Sequence, residues 1–169
     1  WQVDQEKFWG TPIRKVFSSL KLKGSYGKVG NTGGIGDFAT YSTFNSGVYG
    51  GNATLGFNNA GNRNLKWETS TQFNVGAIIG FFKDRMSLEM TYYKNNISNL
   101  ILAVPQAPST GVPNAILQNV GKMYNKGIEL TLSGTIVNTK NFTWTTNFNY
   151  TNNRNEVTEL APGLTEILT

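Results

Sequence analysis

The chain has 169 residues, a length suited to one domain, yet only 15% of them are charged and the net balance is +5. It contains no cysteine and no histidine, which removes disulfides, thiolate chemistry and the commonest metal ligand and general base, so no catalytic site, metal or cofactor is expected. The basic residues are scattered over strand ends and turns (Arg14 and Lys15, Lys21 and Lys23, Lys83 and Arg85, Lys122 and Lys126) without any recognisable binding module, so nucleic acid is not an expected partner.

Along the chain, Trp1 to Glu6 alternates briefly and reads as the end of a strand, and Lys7 to Ser19, with Pro12, as a linker. From Leu20 to Val29, Leu20, Leu22 and Tyr26 oppose Lys21, Lys23 and Ser25. Residues 30–64 are rich in Gly and Asn and read as a long irregular loop, with room for a short strand at Ala39 to Phe44. Its opening stretch, Gly30 to Gly36 (GNTGGIG), lacks the spacing and the following helix of a dinucleotide cradle. The loop aromatics Phe38, Tyr41, Phe44, Tyr49 and Phe57 are candidate contacts for a ligand or an extracellular lid, because aromatic faces bind sugars and anchor interfaces; packing of the loop against itself is the plainer alternative.

Leu65 to Phe82 places Phe73, Val75, Ala77, Ile79 and Phe81 on one face and Gln72, Asn74, Gly76 and Gly80 on the other, with Ile78 as an intruder. A tight turn at 83–85 leads into Met86 to Leu102, where Met86, Leu88, Met90 and Tyr92 oppose Ser87, Glu89, Thr91 and Tyr93. Pro105, Pro108, Gly111 and Pro113 argue against a ladder strand over 103–118, so 103–120 is expected to be a second long loop. The pattern resumes over Gly121 to Val137, with Ile128, Leu130, Leu132 and Ile136 against Glu129, Thr131, Ser133 and Thr135. After a turn at 138–141, Phe142, Trp144, Phe148 and Tyr150 oppose Thr143, Thr145, Asn147 and Asn149, and Pro162-Gly163 is expected to start another loop.

Period-two alternation gives a sheet one apolar and one polar face. These strands also exceed the roughly 5–6 residues usual in soluble sheets and approach the ~9–11 needed to cross a bilayer as a tilted strand. An antiparallel transmembrane β-barrel meets both conditions. On that reading Phe73, Val75, Ile79, Phe81, Leu88, Met90, Leu130, Leu132, Trp144 and Phe148 face lipid, and Gln72, Asn74, Glu89, Glu129, Thr131 and Asn147 face the lumen. Short turns at 83–85 and 138–141 would lie in the periplasm and the long loops outside. Phe81, Phe82, Phe142 and Trp144 beside the short turns suit the inner aromatic girdle. A soluble β-sandwich serving as a surface binding or adhesion module would alternate in the same way and stands as the second reading.

Several segments carry a family resemblance. LKWET at Leu65 to Thr69 with QFNVG at Gln72 to Gly76, YYK at Tyr92 to Lys94 with LIL at Leu100 to Leu102, and NVGKM at Asn119 to Met123 with NKGIEL at Asn125 to Leu130 resemble strands of SusC/RagA-type TonB-dependent transporters of Bacteroidetes outer membranes. LKLKGSYGKVGN at Leu20 to Asn31, Trp144 and NRNEVTEL at Asn153 to Leu160 extend the likeness over most of the chain. The resemblance implies a 22-stranded barrel with an N-terminal plug. It further implies TonB-powered import of oligosaccharides, or peptides in some members, beneath a SusD-like surface lipoprotein. About five or six strands cannot close such a barrel, so the chain is expected to be an internal portion of the wall, lacking the plug and the TonB-contacting segment. No signal peptide precedes Trp1, and the terminal aromatic usual in outer-membrane barrels is missing from Glu166 to Thr169, which fits the same expectation.

Overall fold

A computed structural model describes residues 1–112 and 114–160. It divides into two compact units, one built from Trp1–Gly27, Thr71–Asn95 and Asn125–Asn155, the other from Lys28–Ser70, Asn96–Tyr124 and the chain from Glu156. The strands are β1 (Phe17–Asn31), β2 (Thr43–Tyr49), β3 (Asn52–Asn59), β4 (Glu68–Phe81), β5 (Met86–Ser98), β6 (Ile101–Val104), β7 (Ile116–Asn119), β8 (Lys122–Asn138) and β9 (Thr143–Glu159). Five of them form one sheet in the order β1-β4-β5-β8-β9, while β2 with β3 and β6 with β7 make separate two-stranded ladders.

The pairing is antiparallel, since partners advance along one strand as they retreat along the next. In the first unit Phe82 N–H donates to Val16 O at 3.2 Å and the Asn74 amide reaches Ser25 Oγ at 3.0 Å. Likewise Thr135 N–H donates to Arg85 O at 2.8 Å, while Tyr93 lies over Gly127 further up the same strands. The β8–β9 bend is closed by Thr139 N–H to Phe142 O at 2.8 Å. The β4–β5 bend is unusual, because Phe82, Lys83 and Asp84 all take positive φ (53°, 59° and 61°) without being glycine. Two serines of β1 hold it: Asp84 N–H donates to Ser18 Oγ at 2.8 Å and Ser19 Oγ–H donates to Asp84 Oδ1 at 3.0 Å.

Glycines set how closely the strands approach. A Cβ on Gly76 would come within 2.7 Å of Met90 O, and one on Gly127 within 2.5 Å of Asn152 O and the Tyr93 hydroxyl. Both contacts are too tight for any side chain, and overpacking of this kind destabilises by about 1–3 kcal/mol.

The sheet is not wrapped around a core. Among the described residues Val3 (6% exposed) is the buried hydrophobic side chain, Thr69 (8%) is the buried polar one, and no side chain is fully buried. Val75, Trp144 and Phe148 stand exposed, and Met90 and Leu132 are covered only halfway. A sandwich would bury one face of the sheet against a second layer. No such layer covers this one among the described residues, so the sandwich reading loses its physical basis.

Four local expectations are corrected. Trp1 to Glu6 is a strand end only over its first two residues: Trp1 and Leu22 exchange backbone hydrogen bonds (2.8 Å from Leu22 N–H; 2.9 Å from the terminal ammonium), Gln2 bridges antiparallel to Lys21, and Val3–Gln5 then turns as a 3-10 helix. The linker carries a four-residue helix, Thr11–Arg14, with Pro12 in its first turn where a missing N–H costs nothing. The loop over 30–64 contains the β2–β3 hairpin, whose Gly50 and Gly51 take φ of 59° and 83°, the two positive values that a tight two-residue hairpin loop requires. Finally, 103–118 is not free of ladder: Ala103 pairs with Leu117 and Val104 with Ile116, and Pro105 follows directly after the last paired residue. Pro113 and the expected loop at Pro162-Gly163 lie outside the described residues.

Candidate functional site

The first unit supplies a polar surface built from alternate positions of long strands. Lys23 on β1 forms an ion pair with Glu89 on β5, Asn74 on β4 donates to Ser25, and Gln72 Nε2 donates to Asn74 Oδ1 at 3.4 Å. Lys23, Ser25, Asn74, Gly76 and Thr91 line an open cleft of about 230 Å³, with glycine at position 76 leaving its floor low. Of the remaining expected lumen residues, Glu129 and Asn147 are exposed and Thr131 is half-buried. Both members of the Lys23–Glu89 pair are over 40% exposed, so the pair contributes only ~0–1 kcal/mol and serves mainly to keep opposite charges fixed on this surface.

The opposite positions of the same strands are apolar. Phe73, Val75, Trp144 and Phe148 are exposed, and Ile79, Phe81, Leu88, Met90, Leu130 and Leu132 are half-buried among their neighbours. Near the short bend Phe81 packs on Phe17 (ring centroids 5.4 Å apart) and on Phe82 (6.5 Å), an aromatic cluster at the strand ends. Outside the strands, the Asp4 carboxyl is held below the usual carboxylate range by the Gln5 side-chain amide, helped by Leu20 N–H and Arg14.

In the second unit the five loop aromatics are not gathered together. Phe44 and Phe57 are cross-strand partners of the hairpin, with rings 5.5 Å apart in an edge-on arrangement. Ser46 pairs with Leu55 and Val48 with Ala53, so Phe44, Val48, Leu55 and Phe57 share one face by alternation. Tyr49, 84% exposed, belongs to the other face. Phe38 stands exposed at a left-handed φ of 61°, and the backbone of Tyr41 presses so closely on Gly61 that a Cβ there has no room. Val48 and Leu55, each 75% exposed, were not among the expected contacts, although the Gly50-Gly51 pair between alternating runs is a hairpin signal that points to them.

The second unit also holds a polar clamp that sequence reading did not anticipate. The Asn119 side chain accepts from Lys66 N–H (2.7 Å) and donates to Lys66 O (2.7 Å) and Asn99 O (3.0 Å), replacing a peptide group in a ladder. Glu68 accepts from Ile101 N–H and from the Asn31 amide, each at 3.0 Å, and the Asn62 amide donates to Leu117 O at 2.8 Å. Side chains thus satisfy backbone groups at the roots of the loops.

Among the described residues no cluster of acidic side chains is arranged to hold a metal, and no helix is long and apolar enough to cross a membrane. The chemistry on offer is that of a two-faced sheet carrying braced loops. Residues 12–165 match the family model described as TonB dependent receptor-like, beta-barrel, and the chain belongs to that family. It is 35% identical over 163 residues to TonB-dependent receptor P39 of Formosa agariphila, covering 95% of this chain and 15% of the relative. Against TonB-dependent receptor SusC of Bacteroides thetaiotaomicron the identity is 30% over 174 residues, covering 96% of this chain and 17% of SusC. Among solved structures, the RagAB peptide importer in its open-open state superposes with a TM-score of 0.84 at 30% identity, over all of this chain and 18% of that one. The RagAB peptide transporter gives a TM-score of 0.80 at 32% identity, over 97% of this chain and 18% of that one. The chain therefore spans about a sixth of the length of these relatives and forms a portion of an outer-membrane barrel of SusC/RagA type. Its family is one of TonB-dependent receptors, not of enzymes.

Proposed function

We propose that this chain is part of the wall of an outer-membrane importer for oligosaccharides or peptides, with the apolar strand positions against lipid and the polar positions lining the lumen. The long loops lie outside, where Phe38, Tyr41, Phe44, Tyr49 and Phe57 meet substrate or a SusD-like surface lipoprotein. TonB drives transport through a plug region that is not in this chain. The observation that carries the reading is the opposition of the two faces: Lys23, Ser25, Asn74 and Glu89 are joined on one side, Val75, Trp144 and Phe148 stand bare on the other, and neither side is covered. The name of one relative supports the peptide class, since RagAB is a peptide importer.

Single spin labels at 74, 75, 131 and 132 of the full-length protein in outer membranes test this arrangement. Labels at 75 and 132 should be relaxed by oxygen dissolved in the bilayer, and those at 74 and 131 by a water-soluble nickel chelate. Equal response to the chelate at all four positions would remove the lipid-facing assignment.

A further inference from the structure

At the short-turn end of the first unit, Phe82, Arg85, Met86, Thr135 and Ile136 line an open cleft of about 240 Å³. We propose that this cleft is a phospholipid site, with Arg85 holding the phosphate and the apolar walls holding the start of an acyl chain. It rests on the reading that the apolar face meets lipid.

Met86 and Ile136 belong to the apolar alternation of β5 and β8, and Gly134 between them keeps the surface low, since a Cβ there would stand 2.9 Å from Met86 Cγ. Phe82 (55% exposed) and Ile136 (45%) present hydrocarbon to the outside. A purely apolar depression would suit an acyl chain alone. This one also contains a guanidinium, and that cation is fixed in place: Arg85 Nη2 donates to Thr135 O at 3.4 Å and to Ile136 O at 3.3 Å. Both of these bonds use a single nitrogen, whereas a guanidinium has five N–H donors in a planar fork that matches phosphate oxygens. Preorganisation by backbone carbonyls lowers the entropy lost when a phosphate is gripped.

Charge points the same way. Lys83 and Lys140 sit in the two neighbouring bends, and the carboxylate of the nearby acid, Asp84, is turned to the Ser19 hydroxyl of β1. A strand end beside a tight turn is also where headgroups lie in a bilayer crossed by strands, so a cation with hydrocarbon on one side meets phosphate there and acyl chain next to it. A free phosphate would satisfy only Arg85 and leave the Phe82, Met86 and Ile136 walls in water, which favours the amphiphile.

Native mass spectrometry of the full-length protein in detergent, titrated with dioleoyl phosphatidylglycerol, tests the site. Wild type should retain one more lipid than Arg85→Gln, whose occupancy falls roughly tenfold or more on loss of a charged hydrogen bond, and Arg85→Lys should fall between. A second comparison needs no substitution: dioleoylglycerol, which has the same chains without phosphate, should bind the wild type about tenfold more weakly. Equal adducts in wild type and folded Arg85→Gln, equal retention of the two lipids, or displacement by millimolar inorganic phosphate would each overturn the proposal. The spin-label result at 75 and 132 separates these outcomes from a failure of the lipid-facing reading, because the adduct is counted in detergent whichever face it occupies.

Discussion

Asn119 illustrates how one amide organises a region. Its side chain satisfies both backbone groups of Lys66 and the carbonyl of Asn99, three bonds that no periodic pattern encodes. Asn119→Ala leaves the Lys66 N–H without this partner; Lys66 is exposed and water can replace the amide, so the loss is the net worth of an ordinary hydrogen bond, about 0.5–1.5 kcal/mol. The expected outcome is faster amide exchange at Lys66, by roughly 2- to 13-fold, with strand amides near Leu132 unchanged. Unaltered exchange at Lys66 would mean that the clamp is ornamental. The residues were visible in the sequence as family-like strings, LKWET and NVGKM, but their meeting was not. Lys66 and Asn119 are 53 positions apart, and side-chain to backbone bonds leave no trace in hydrophobic alternation. The alternation at positions 74 and 75, or 131 and 132, is legible for the opposite reason, since each strand face repeats its chemistry every second residue, and which face meets lipid is left to the spin labels.

The same contrast operates at the level of elements. β4, β5, β8 and β9 could be read because they are long and two-faced, and the observed strands agree with the expected ones to within a few residues. The β2–β3 hairpin was concealed by its Gly and Asn content, which also marks irregular loops; only the register reveals that Phe44, Val48, Leu55 and Phe57 line up. A two-stranded hairpin is marginal by itself in water, so an exposed apolar face on one is an economical docking surface. If the proposed SusD-like lipoprotein docks on this face, Val48→Asp combined with Leu55→Asp should weaken its retention by the full-length protein in affinity purification by about tenfold or more, the scale of losing two buried aliphatic contacts. Tyr49→Ala, on the other face, should have a smaller effect. Undiminished retention in the double variant would assign the hairpin to substrate or to neighbouring loops instead.

Across the whole chain, the five-stranded sheet ends in two outer strands, β1 and β9, and no side chain among the described residues is fully buried. Edge strands of this length offer unpaired backbone along their free sides, and both faces of the sheet expose large side chains. Residues 1–169 expressed alone without detergent should accumulate as aggregates in size-exclusion chromatography with light scattering; a stable detergent-free monomer would contradict the barrel-wall description. The length of the strands made this legible, whereas the manner of bending between β4 and β5 was not, because Lys83-Asp84 lacks the Asn-Gly or Gly-Gly composition that ordinarily announces a left-handed corner. Three successive left-handed residues each carry a penalty of about 1–2 kcal/mol, and the serines that compensate belong to a strand more than sixty residues earlier. The corner is thus provisional until Ser18 and Ser19 arrive. The crease between β4 and β5 is held by a neighbouring strand and not by the ribbon that it joins.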